Sequence, residues 1–163
     1  MSQFLVDAYP SHLLPATGSI DAAWKRARIN FFVDTWNTKA NTYWHNVLTK
    51  DSEEEKEQLV KDLISTVSKE IEPLLQDAAP FFGGSSKLTL AEVITAPFIL
   101  RIYTFAKHGL LPKSLITGFE GLPNFSRWAA EVQKHESVTY IWDEELQVEN
   151  LRKRIAKIKA ETK

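Results

Sequence analysis

The groups of this chain best suited to proton transfer or metal binding are its four histidines, His12, His45, His108 and His135. No two of them stand at i, i+4, and the H-E-x-x-H pattern that would place two imidazoles on one helix face is missing. With no cysteine in 163 residues, disulfides, zinc–thiolate sites, iron–sulfur clusters and cysteine nucleophiles are excluded. The six glycines form neither G-x-G-x-x-G nor G-x-x-x-x-G-K-[ST], which argues against nucleotide binding by those two routes. G-x-S-x-G is missing too. The sequence therefore assigns no catalytic residue and no metal ligand.

Two charged blocks remain. The acidic run "DSEEEKE" follows a helix-start pattern: Ser52 and Glu55 form a capping box, and Glu53 and Glu54 add negative charge where the helix dipole favours it. A solvated helix start explains the run without a metal. The tail "LRKRIAKIKAETK" sets Arg152, Lys153, Arg154, Lys157, Lys159 and Lys163 against Glu161. An anionic partner is one reading of it. The tail carries no aromatic residue for base stacking, and basic residues late in a helix suit its C-terminal dipole, so nucleic acid is not expected. A net charge of −1 agrees.

The elements that position these groups read almost entirely as helix. Residues 20–48 carry two adjoining apolar stripes at three- and four-residue spacing, predicting a long helix covered over much of its circumference. The segment after Ser52 places Val60, Leu63, Ile64, Val67, Ile71, Leu74 and Leu75 on one face. A loop over 77–88 holds Pro80, Gly83 and Gly84. Thr89 then stands as N-cap with Glu92 at N3, while Leu88 and Val93 take the two positions of a hydrophobic staple. Pro97 falls inside the helix so begun, where it removes a backbone hydrogen bond and predicts a kink held by neighbouring helices. Residues 110–122 form a connector with room for one short helix. Pro123 opens an amphipathic helix with Phe125, Trp128, Ala129 and Val132 inward, and a last helix is expected over 144–162. No apolar run is long enough to span a bilayer and no leader precedes the first helix, so a cytoplasmic protein with no membrane association is expected.

In order, "FLVDAYPSHLLP", the long aromatic helix, "LTLAEVITAPF" and "GLPNFSRWAAEVQKHESV" resemble the C-terminal all-helical domain of the cytosolic glutathione transferases. The likeness runs from about Phe4 to Val138, and its Leu-Leu-Pro segment leans toward omega-like or fungal-type members. Its most specific elements are the Thr89–Glu92 box, a folding determinant in that family, and the Pro123, Trp128, Val138 series. Glu136 stands where the family usually has proline. The resemblance implies an all-α, glutathione-transferase C-terminal-like bundle with a kinked, N-capped central helix. It also implies that residues 1–17 are the last helix of a preceding thioredoxin-like domain plus linker, that 18–163 are the helical domain, and that the thioredoxin-like domain itself is lacking.

That domain carries the glutathione site in the family, so glutathione is expected as co-substrate of the complete enzyme, with no tightly bound cofactor. The helical part is implied to bind the hydrophobic electrophile and to dimerise through its first two long helices. The chain alone would be inactive. The electrophile wall would fall on Trp24, Arg28, Phe31, Phe32 and Trp36. Arg28 is the polar candidate, able to pair with a carboxylate of a ligand or of a dimer mate, the alternative being an ion pair within its own domain. Two other readings stay open: a non-enzymatic interaction module like those of translation-elongation and tRNA-synthetase complexes, and a ligand-free helical scaffold.

Overall fold

The computed structural model describes residues 2–161. Among them the elements are α1 (Ser2–Ala8), α2 (Ile20–Thr35), α3 (Asn41–Thr49), α4 (Glu53–Thr66), α5 (Leu90–Lys107), α6 (Ser114–Glu120), α7 (Pro123–Lys134), α8 (Glu136–Thr139) and α9 (Glu144–Glu161). No named strand occurs among the described residues, so the all-α expectation holds. No helix among them is long and apolar enough to cross a membrane. Of the basic tail, Lys163 and the side chains of Lys159 and Glu161 lie outside the described residues. Lys153 pairs with Glu149 at 2.7 Å along α9.

The two long predicted helices each contain a wide turn. Trp36–Ala40 joins α2 to α3 as a π-turn, and Val67–Ile71 continues α4 in the same way. The spacing of buried residues explains both. Phe32, Trp36, Ala40 and Trp44 are buried at successive four-residue steps, and so are Leu63, Val67, Ile71 and Leu75. A turn takes 3.6 residues, so each such step overshoots by about 40° and the stripe would leave the core within three steps. An i→i+5 turn absorbs the overshoot. The two π-turns pack against each other, so the correction is made where both helices need it.

Leu90–Lys107 is the central helix, with eleven buried residues. The capping box at Thr89 forms as predicted. The helix stays continuous through Pro97, whose side chain is on the exposed face. The carbonyl that the proline leaves unbonded, that of Val93, belongs to a residue on the same exposed face, within reach of water. Of the predicted staple pair, Leu88 is buried and Val93 is 40% exposed; both line one shallow apolar groove beside Pro97.

Glu92 does more than close the box. It is fully buried, and each carboxylate oxygen accepts two hydrogen bonds. Oε1 takes them from the Phe82 amide and the Trp128 indole, both at 2.8 Å. Oε2 takes them from the Thr89 amide at 2.8 Å and the Thr89 hydroxyl at 2.7 Å. One side chain thus ties the glycine loop, the start of α5 and the middle of α7. A second carboxylate caps α7 from a distance: Glu72 accepts from the amides of Asn124 (2.9 Å) and Phe125 (2.7 Å), which follow Pro123 at the helix start. His108, at the C-terminal end of α5, sets its Nε2 2.6 Å from Glu144 of α9.

An aromatic row fills the centre. Phe82 packs on Phe32 (centroids 4.8 Å apart), Phe32 edge-on to Trp128 (5.6 Å), Trp128 on Phe125 (5.8 Å), and Phe125 on both Phe119 (4.7 Å) and Trp36 (6.3 Å). At Gly118 the short helix α6 presses against α4: a Cβ there would stand 2.1 Å from Ile64 Cδ1.

Three substitutions test these contacts, each read by urea unfolding. Thr89→Ala should cost about 1–2 kcal/mol as a lost cap. Glu92→Gln should cost about 1–3 kcal/mol, because its amide turns a donor toward the Thr89 N–H; unchanged midpoints in both variants would remove the carboxylate from this role. Gly118→Ala should cost about 1–3 kcal/mol by overpacking, and Ile64→Val in the same chain should recover part of it. Strict additivity of the two changes would contradict the close approach.

Candidate functional site

The chain from Tyr9 to Ser19 does not hang free. Leu13 gives its carbonyl to the Leu90 amide at 2.8 Å, fixing the linker to the first turn of α5. Arg26 of α2 donates to the Pro15 carbonyl at 2.9 Å and forms an ion pair with Asp7 of α1. Opposite, the loop after α4 is closed by the Phe81 amide on the Ser85 carbonyl (3.1 Å). It turns through Gly83 (φ 68°) and Gly84 (φ 73°). Little or nothing would touch a Cβ at either position, so glycine is needed for the left-handed backbone rather than for space.

Between linker, loop and the first half of α2 lies a cavity of about 480 Å³. This is within the ~300–1,000 Å³ typical of small-molecule sites. Its α2 wall carries Trp24, Lys25, Arg28 and Ile29; Leu13 and Pro15 face them from the linker, Phe82 and the two glycines from the loop. The rim holds His12, Lys25 and Arg28 against Asp21, and Lys25 is paired with Asp21 at 2.8 Å. Arg28 makes a two-pronged ion pair with Asp77 (2.7 and 3.0 Å) and sits over the Phe82 ring, 5.3 Å from its centroid. The hydrogen bond from Arg28 holds the Asp77 carboxyl below the usual range, and the same bond raises Arg28.

The five residues expected on the electrophile wall are divided by these surroundings. Trp24, 64% exposed, and Arg28 line the cavity. Phe31 is exposed but lines none of it. Phe32 and Trp36 are corrected: both are fully enclosed in the aromatic row, because they follow the stripe of α2 that faces Trp128 and Phe125. Arg28 takes the intradomain alternative, its fork engaged by Asp77. The residues the sequence did not reveal as lining are His12 on the linker and Phe82 to Ser85 on the loop. The adjacent glycines were the available signal, yet only the fold brings them against α2.

The hydroxyls that line the cavity are engaged within the chain. Ser85 donates its hydroxyl proton to the Lys87 carbonyl (2.6 Å), and Thr89 donates its own to Glu92. Neither hydroxyl is bonded to a histidine among the described residues, so no nucleophile–base pair forms. What remains is a hollow of mixed polarity, with the Phe82 and Trp24 rings beside the ion-paired Lys25 and Arg28.

No protein-family model and no curated protein matches the sequence. Among the solved structures that match in fold are two from Trametes versicolor. Glutathione transferase Omega 2C has a TM-score of 0.69 and 25% identity over 94% of this chain; glutathione transferase Omega 3C has a TM-score of 0.68 and 16% identity over 98%. This chain spans 64% of the length of each. The helix order, the capped central helix and these two likenesses lead to one statement: the chain has the all-helical fold of a glutathione-transferase C-terminal domain.

Proposed function

We propose that this chain is the electrophile-binding and dimerisation domain of a cytoplasmic glutathione transferase whose complete form conjugates glutathione to hydrophobic electrophiles. The observation that carries the reading is the cavity walled by Trp24, Arg28 and Phe82. It offers aromatic and aliphatic surface from Trp24, Phe82, Leu13, Pro15 and Ile29 for a flat apolar ligand. Exposed apolar side chains support a docked neighbour: Phe4, Leu5, Tyr9, Ile20 and Trp24 are all exposed along α1, the linker and the start of α2. A thioredoxin-like domain, to which residues 1–17 would belong, would cover them and bring glutathione to the open side of the cavity. Residues 18–163 would then form the helical domain proper.

Thiol activation needs a group that lowers the thiol pKa. The hydroxyls at this cavity are already committed to acceptors of their own chain, so the residues described supply binding and the missing domain would supply the chemistry. Phe31, 59% exposed on α2 and outside the cavity, favours dimerisation through α2–α3 and α4.

Calorimetry on the chain as it stands tests the binding claim. An aryl halide and its glutathione conjugate should each give measurable heat, and Trp24→Ala should weaken both by about tenfold, the loss of one well-packed aromatic contact. Absence of heat with either probe, or unchanged affinity in the variant, would overturn the reading. Turnover of the aryl halide with glutathione should not exceed the buffer rate; turnover above it would place activating chemistry in this chain. In sedimentation, Phe31→Glu should shift a dimer toward monomer, and a strict monomer before the change would remove the dimer from the proposal.

A further inference from the structure

The C-terminal half of α5 borders a second cavity, closed on its other sides by α6, the end of α7 and the segment from α8 to the start of α9. It shares no lining residue with the first. Its volume is about 570 Å³, within the ~300–1,000 Å³ of small-molecule sites. Leu100, Ile116 and the half-buried side chains of Tyr103 and Trp142 supply apolar surface.

Thr104 distinguishes this cavity from an ordinary groove between helices. Its residue is only 6% exposed, yet its hydroxyl has no hydrogen-bond partner among the described residues. The other buried helical threonines inside the bundle return their proton to the preceding turn: Thr35 to the Phe31 carbonyl at 2.7 Å, Thr95 to the Ala91 carbonyl at 2.8 Å. Among the described residues the sealed and unbonded side-chain atom is Trp36 Nε1, so the Thr104 hydroxyl is not sealed; it opens on the cavity its side chain lines. Its partner there is water or a ligand that displaces water. The Tyr103 hydroxyl beside it is likewise unbonded among the described residues. Burial, then the charge of Glu120, push that phenol up to about 12, so it keeps its proton at neutral pH. Three charged side chains line the cavity. Lys107 is paired with Glu144 at 2.7 Å, whereas Lys113 forms no ion pair among the described residues. Glu120 lines no part of it.

We propose that this cavity binds a small aryl carboxylate, with the Thr104 and Tyr103 hydroxyls and the Lys113 ammonium donating to the carboxylate and Leu100, Ile116 and Trp142 taking the ring. A hydroxyl can donate or accept, but an ammonium only donates, so an acceptor is the ligand group that suits all three. An ionised acceptor makes the stronger bonds. Lys113 reaches it on a flexible four-carbon stem. Glu144 does not take that place, because its Oε1 is already held by Lys107 and by His108 at 2.6 Å. A single ring with a short acidic arm fits the volume, and the apolar side chains give that ring a surface to leave water for.

Calorimetry on the whole chain at neutral pH tests this with trans-cinnamate and its uncharged counterpart trans-cinnamamide. Cinnamate should bind saturably with a Kd at or below about 1 mM, and the amide about fivefold more weakly or worse. Thr104→Val keeps the shape of the side chain and removes the hydroxyl. It should weaken cinnamate about tenfold while leaving the melting temperature unchanged or raised, because the fold loses no hydrogen bond. Lys113→Met, at an exposed position, should weaken cinnamate about threefold more than it weakens cinnamamide. Absence of saturable cinnamate binding, an amide that binds as well as the acid, or full cinnamate affinity in Thr104→Val would each overturn the site. A lowered melting temperature in Thr104→Val would do so too, by showing that the fold itself uses the hydroxyl. Trp24→Ala, which tests the first cavity, should leave cinnamate affinity unchanged; a loss there would place the acid in that cavity and remove it from this one.

Discussion

The carboxylate of Glu92 is the contact on which the arrangement of this fold depends. A buried carboxylate is costly unless its lone pairs are used, and here both oxygens are filled by two donors each. Those donors come from three places that sequence separation would otherwise let drift: the amide at the glycine loop, the N-cap of α5 and the indole of α7. Each partner is needed by the others. If the loop moved, the Phe82 amide would leave one oxygen short; if α7 rotated, the Trp128 N–H would be buried without an acceptor. The same side chain that starts the central helix therefore also places Phe82, and Phe82 is the floor of the cavity.

The π-turns show a second constraint of this kind. A helix that must keep residues buried at four-residue steps cannot remain an ideal α-helix, because its stripe winds away from the core. Two wide turns in contact let both long helices hold their faces together. Among the described residues one buried side-chain polar atom is left over: the Trp36 indole N–H, at the first π-turn, has no hydrogen-bond partner. The stacking of Trp36 on Phe125 and its complete burial are what offset that loss.

Much of this fold was legible in the sequence, for physical reasons that can be named. The Thr89–Glu92 box and the Ser52 start are local, so spacing alone predicts them; the first forms in full, while at Ser52 the N-cap forms and the Glu55 carboxylate turns instead to Lys50. The apolar periodicity located the helices, though not the π-turns, whose signature is the run of four-residue steps rather than the mean period. Long-range satisfaction was not legible. Nothing in the spacing says that Glu72 caps α7, that Trp128 reaches Glu92, or that Asp77 takes Arg28. Pro97 was read as a strain that neighbours must hold; its position on the exposed face is what lets water meet the carbonyl it leaves unbonded. The aromatic wall was half legible, since an aromatic stripe says that a surface is apolar but not which part of it stays covered.

The series Trp24, Arg28, Phe32, Trp36 shows why that boundary falls where it does. The four stand at equal four-residue intervals along α2, so each is turned about 40° from the one before. The row winds from solvent into the core: Trp24 is largely exposed, the Arg28 side chain retains 33% exposure, and Phe32 and Trp36 are enclosed. A single geometric drift thus makes the first two residues cavity wall and the last two core. It also joins the two. Arg28 lies over Phe82, Phe82 packs on Phe32, Phe32 meets Trp128, and Trp128 donates to the same Glu92 oxygen that the Phe82 amide occupies. The cavity floor is consequently part of the core's aromatic row and hydrogen-bond network, and a ligand resting on Phe82 meets a surface already fixed by folding.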